Sequence, residues 1–134
     1  MADRRLGVGF IGSGFNARFH LHAFQAVRDA DVRGVWSPTP QHAEETAALA
    51  RHLDLGQTNA YRTIAEMVAD PEIDALWLCG RNDARIENME EISDAVVRGK
   101  GALKGIACEK PLARNLAEAQ RVVELATQAG VAHG

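Results

Sequence analysis

Two short stretches of this 134-residue chain carry residue types and spacings that could do chemistry. The first is Gly12-Ser13-Gly14-Phe15-Asn16-Ala17, which fits G-x-G-x-x-G/A and lies between an apolar run, Leu6 to Ile11, and a helical pattern. Gly12 permits a tight turn, Gly14 lets backbone approach a pyrophosphate with no Cβ in the way, and small Ala17 lets the helix pack closely on the strand. The start of that helix would turn free N–H groups and a partial positive charge toward phosphates. Gly12, Ser13, Gly14, Phe15 and Asn16 are therefore expected to contact a cofactor. Turns of this pattern also occur that bind nothing; the position after a buried strand gives this one its weight. The second stretch is Cys108-Glu109-Lys110-Pro111. A lysine at a strand's carboxyl end could donate a hydrogen bond to a substrate hydroxyl or carbonyl, whereas the competing reading is a solvated Glu-Lys pair in a loop.

Both stretches need a scaffold that brings them to one rim. Leu6 to Ile11 has no polar alternation, which suits a strand buried on both faces and hence a parallel sheet. Ala17, Leu21, Phe24 and Val27 recur at helical spacing behind it. Val32 to Trp36 is the next strand, after which Thr39 caps a helix beginning at Pro40 and running to about Leu53. Ala60 to Ala69 reads as one short helix on a connection, closed by Asp70-Pro71. Ile73 to Cys79 is a strongly apolar strand, followed by an amphipathic helix from about Ile86 to Val97, with Ile86, Met89, Ile92 and Val96 on one face. Gly105 to Cys108 is a short buried strand. Asn115, with Glu118 three positions on, starts a last helix whose inner stripe reads Leu116, Ala119, Val123 and Ala126 and which Gly130 ends. Val131 to Gly134 opens an apolar segment where such sheets commonly add a strand. This alternation predicts an α/β, doubly wound parallel sheet with right-handed crossovers.

In such a sheet an acidic side chain commonly ends the second strand and holds the adenine-ribose hydroxyls. Here the position is Ser37, and Trp36-Ser37-Pro38-Thr39 holds no carboxylate. Without it nothing repels a 2′-phosphate, and Ser37 and Thr39 offer hydroxyls; yet no arginine follows Ser37, and Arg33 lies within the strand. The cofactor is expected to be NAD or NADP, tilted slightly toward NADP. Cys79, Asn82 and Glu109, at the ends of later strands, join the expected cofactor contacts.

Composition bounds the rest. With 46% apolar residues, 25% charged and a net charge of −3, the chain is one ordinary globular domain with no basic footprint for nucleic acid or an anionic membrane. No run approaches the roughly 18 apolar residues of a membrane span. The charged start, Met1 to Arg5, precedes no signal-like segment. Two cysteines, in no ligand spacing, fit a reducing compartment, so a cytoplasmic location is expected. No metal site is expected.

The glycine turn with His20 three residues on, Asn82-Asp83, and Cys108-Glu109-Lys110-Pro111-Leu112 together resemble the N-terminal half of the glucose-fructose oxidoreductase / inositol dehydrogenase (Gfo/Idh/MocA) family, over essentially the whole chain. The E-K-P element is the most specific part of the match. The resemblance implies an NAD(P)-dependent oxidoreductase that exchanges hydride with a sugar, cyclitol or related hydroxyl compound, with Lys110 as both cofactor contact and catalytic group, reaching nicotinamide ribose and substrate. It also implies a second domain that carries the substrate-facing acid/base and most oligomer contacts. Residues 1–134 have no room for that domain, so a fragment or truncated chain is expected, with a small-molecule substrate, a homo-oligomer and turnover only in a fuller form.

Two departures stand out. Where the family commonly reads threonine-proline-asparagine followed by histidine, this chain reads Gly80-Arg81-Asn82-Asp83-Ala84-Arg85, with Arg81 and Arg85 in place of proline and histidine; altered contacts to nicotinamide ribose or substrate are expected. The stretch Lys100 to Gly105 is longer than usual. His20 reads more readily as a packed residue than a direct participant, His42 and His52 as solvated, and Phe10, Phe15, Phe19 and Phe24 as core or turn packing. A stand-alone, non-catalytic nucleotide-binding or sensing module is the alternative function; a methyltransferase would leave the E-K-P element unexplained.

Overall fold

The computed structural model describes residues 4–134, so Met1 to Asp3 of the charged start lie outside the described residues. Six strands form one parallel sheet: β1 (Leu6–Ile11), β2 (Ala30–Trp36), β3 (Asn59–Tyr61), β4 (Ala75–Leu78), β5 (Gly105–Cys108) and β6 (Ala132–His133), in the order β3-β2-β1-β4-β5-β6. The order reverses between β1 and β4, which opens a crevice at their carboxyl ends. The doubly wound α/β prediction is met.

Helices cover both faces. Helix α1 (Phe15–Phe24) and helix α2 (Pro40–His52) bury Ala17, Leu21, Phe24, Ala43, Ala47 and Ala50 against Val8, Phe10, Val32 and Val35. Helix α3 (Ile64–Ala69), helix α4 (Arg85–Val97) and helix α5 (Leu116–Ala129) bury Met67, Met89, Ile92, Val122 and Leu125 against Ile11, Leu76, Leu78 and Ile106 on the other face. Even strands four residues long are locked in place because each pairs with a buried neighbour. Among the described residues no helix is long and apolar enough to cross a membrane.

Three readings of local pattern need correction. Residues 60–69 are not one helix: Asn59–Tyr61 pairs with Gly34–Trp36 as the edge strand, and the helix starts only at Ile64. Thr63 sets that start through a full capping box with Glu66, so the helical signal belongs to the second half of the segment. Helix α1 stops at Phe24, and Val27 lies beyond it, 44% exposed. In α5 the buried face is Val122, Leu125 and Ala126, while Leu116 and Val123 are exposed. Two apolar stripes overlap in that helix, and packing against α4 selects the one turned toward Met89 and Ile92. The Asn115 cap is present, its Oδ1 accepting from the Glu118 N–H.

Candidate functional site

The glycine turn is built by steric necessity. Gly12 ends β1 with φ +114°, and a Cβ there would stand 2.8 Å from the Gly80 backbone nitrogen and 3.0 Å from the Cys79 carbonyl carbon. No side chain fits. Gly14 differs: its φ is −76°, and a Cβ would meet nothing within 4 Å. Its lack of a side chain therefore serves the open space in front of it rather than the fold. Helix α1 starts directly behind, with no side-chain cap and no acidic residue in its first turn.

In front of the turn lies a cleft of about 380 Å³ lined by Gly12, Ser13, Gly14, Ser37, Thr39, Cys79, Gly80 and Arg81, among others. Ser37, 5% exposed, ends β2 and its hydroxyl lies 2.8 Å from that of Ser13, tying the glycine turn to the second strand. Thr39 precedes α2 without spending its hydroxyl on a cap. Arg33 stays outside this cleft, its guanidinium 3.6 Å from Asp31 and 3.7 Å from Glu72. The cleft also takes in Trp36, His42, Ala84, Glu87 and Asn88, which the sequence reading did not select. Ala84, Glu87 and Asn88 stand at helical spacing around the start of α4, a signal visible once that start is placed at Arg85. Arg81 is largely exposed and paired with Asp83. Burial, reinforced by the Glu109 charge, pushes the Cys79 thiol up to about 12, so it is a neutral wall group.

Lys110 stands exposed on the same rim, at the end of β5. It follows Glu109, whose carboxylate accepts from Trp77 Nε1 at 3.0 Å and faces His20 Nε2 at 2.6 Å. Burial opposes ionisation of Glu109, but hydrogen bonds from Asn16, Trp77 and His20 outweigh it and hold the carboxyl below its usual range. Asn16 and Glu109 thus face one another beside the cleft instead of lining it. His20 lies against Trp77, ring centres 4.4 Å apart, and is a direct partner of Glu109. Phe15 and Phe19 are not core residues: they stack on one another with ring centres 6.3 Å apart and are 85% and 58% exposed, because they fall on the face of α1 opposite Ala17, Leu21 and Phe24. Asn82 begins the single 3₁₀ turn Asn82–Ala84, and Arg85 turns inward and is buried rather than facing the cleft. Among the described residues no cluster of His, Cys, Asp and Glu could hold a metal ion.

The geometry suits an extended anionic ligand: an open, Cβ-free turn, an uncapped helix start and a row of hydroxyls, with a lysine further along the rim. Comparison with known proteins agrees. The chain is 27% identical over 124 residues to the myo-inositol 2-dehydrogenase of Thermotoga maritima, a match covering 92% of this chain and 34% of that protein. It superposes with TM-score 0.71 and 28% identity on the myo-inositol dehydrogenase of Lactobacillus casei, solved with NAD(H) and myo-inositol, over 90% of this chain and 32% of that one. Biliverdin reductase from Synechocystis, solved with biliverdin and NADP+, shares the fold at TM-score 0.71 and 21% identity, over 96% of this chain and 37% of that one. The chain thus spans about a third of the length of these relatives. The family model for GFO_IDH_MocA oxidoreductases, NAD-binding Rossmann fold, matches residues 6–133, and the chain belongs to that family.

Proposed function

We propose that this chain is the cofactor-holding part of an NAD(P)-dependent oxidoreductase that acts by hydride transfer on a sugar, cyclitol or related hydroxyl compound. The observation that carries this reading is the open approach at Gly14, where a Cβ would meet nothing within 4 Å, leading to a cleft on the same rim as Lys110. The start of α1 and Gly14 receive the pyrophosphate, Ser37 and Thr39 face the adenine ribose, and the turn at Asn82 faces the nicotinamide ribose. When bound, the nicotinamide takes or gives the hydride. Lys110 binds the substrate oxygen and holds or moves its proton. Hydroxyls of Ser37 and Thr39 in place of a carboxylate at the end of β2 favour NADP slightly over NAD. Substrate selection falls to a further domain, as does any homo-oligomer contact. Free Cys79 and Cys108 support a reducing, cytoplasmic setting.

Trp36 lines the cleft, so titration with NAD, NADP and S-adenosylmethionine followed by tryptophan fluorescence and calorimetry tests the reading. The expected result is saturable binding of a dinucleotide and none of S-adenosylmethionine. Absence of dinucleotide binding at millimolar concentration would overturn it.

A further inference from the structure

Arg85 opens α4 and, at 1% exposure, heads the fully buried side chains by volume. Its Nη1 donates to the Glu109 carbonyl at 2.8 Å and its Nη2 to the Gly80 carbonyl at 3.0 Å. Its buried Nε has no partner, and among the described residues the guanidinium forms no ion pair. Burying an uncompensated cation is expensive, and two carbonyls at strand tips could be satisfied by neutral donors at no such cost. The expense falls at one place, between the turn that follows β4 and the loop that follows β5. Glu109 is thereby gripped from both faces of the sheet: its carbonyl by Arg85 from the α4 side, its carboxylate by His20 and Trp77 from the α1 side. The next residue is Lys110.

We infer that Arg85 is a positioning residue, a buried strut that fixes the Lys110 loop against the Gly80–Asn82 turn and so sets where the lysine stands over the nicotinamide end of the cleft. The inference rests on the role proposed above for Lys110. A planar fork suits the task because it reaches two carbonyls in fixed relative geometry, whereas a lysine offers a point charge on a flexible stem and a neutral histidine a single N–H. Removing the fork leaves the two tips free to shift independently, and positional errors near 1 Å are enough to uncouple reacting groups.

The test reads lysine position directly. The whole chain is acylated with N-hydroxysuccinimidyl acetate, alone, with saturating NADH or NADPH (whichever binds tighter) and with saturating ADP, and modification of Lys110 is followed by peptide mass spectrometry. In the wild type the dinucleotide should slow acylation of Lys110 by at least about fivefold while ADP leaves it unchanged, as expected if the nicotinamide end covers the lysine. In Arg85→Met and Arg85→Lys, at saturating dinucleotide and well below the melting temperature, that protection should fall below about twofold. A lower melting temperature alone would leave protection intact in the folded fraction. If Arg85→Met does not fold, Arg85→Lys, which keeps the buried cation and one hydrogen bond, carries the test. Wild-type protection in the folded variants overturns the inference. Dinucleotide binding without protection in the wild type instead overturns the role of Lys110, and absence of dinucleotide binding overturns the cofactor reading.

Discussion

The two ends of the sheet each bury a charged group, and they treat it in opposite ways. At the amino ends of the strands Asp74, 4% exposed, accepts from the Gly7 N–H at 2.8 Å and is paired with Arg4 at 2.9 Å and Lys104 at 3.1 Å. The Asp74 carboxylate is thus matched by two cations and a backbone N–H. At the carboxyl ends, among the described residues, Arg85 is buried with no counter-charge, the Thr39 hydroxyl is not spent on a helix cap, and Lys110 is exposed. The matched carboxylate at the amino ends serves stability, and the carboxyl ends leave a buried cation, a hydroxyl and an exposed lysine for a ligand.

Substitutions at both ends can break that contrast. The largest effect is expected from Gly12→Ala, since an alanine must adopt φ +114° and push its Cβ to 2.8 Å from the Gly80 nitrogen. A loss on the order of 3 kcal/mol, read as a melting point lower by roughly 10 °C, should accompany loss of dinucleotide binding. Asp74→Ala comes next, at about 2–3 kcal/mol, because the Gly7 N–H is left unsatisfied inside the sheet. Calorimetry should find its cofactor affinity unchanged; a large loss of affinity would mean that the two ends are not separable.

His20→Ala should be milder, about 1 kcal/mol, removing one partner of Glu109 while Asn16 and Trp77 keep theirs. Acid tests both ends at once. Asp74 and Glu109 are both held below their usual range, Asp74 because the Gly7 N–H, Lys104 and Arg4 outweigh its burial, so each contributes stability that is complete above the ordinary carboxylate value of about 4 and is lost as pH falls through its folded value. Melting temperature should therefore drop on acidification below about pH 4. In His20→Ala the drop should be shallower, because one source of the Glu109 depression is gone. An equally steep acid limb in that variant would assign the acid sensitivity to other groups. Lys110→Ala should change stability least, by under about 0.5 kcal/mol, with little change in cofactor affinity. Joined to a substrate domain, that variant should lose turnover, and near-normal rates would refute the lysine's role.

Much of this was legible in the chain itself. Unbroken apolar runs such as Leu6 to Ile11 are buried on both faces from Gly7 onward, so they announce a parallel sheet by composition alone. The glycine turn was legible because its constraint is local: a tight reversal and room for backbone. Residues 60–63 were misread because a three-residue edge strand is specified by its partner Gly34–Trp36 rather than by its own pattern. The face of α5 was misread for a related reason, since helical periodicity gives a spacing and only a neighbour fixes the phase.

The site divides along the same line. Sequence by itself determined the fold class, the rim and the residues offered at each strand end, because these depend on side-chain type and short spacing. Only the tertiary structure decided which of them meet: Ser13 with Ser37 across 24 positions, His20 with Glu109 across 89, and Arg85 with the carbonyls of both Gly80 and Glu109. Contacts between strand tips far apart in the chain follow from strand order, and strand order is a property of the packed sheet.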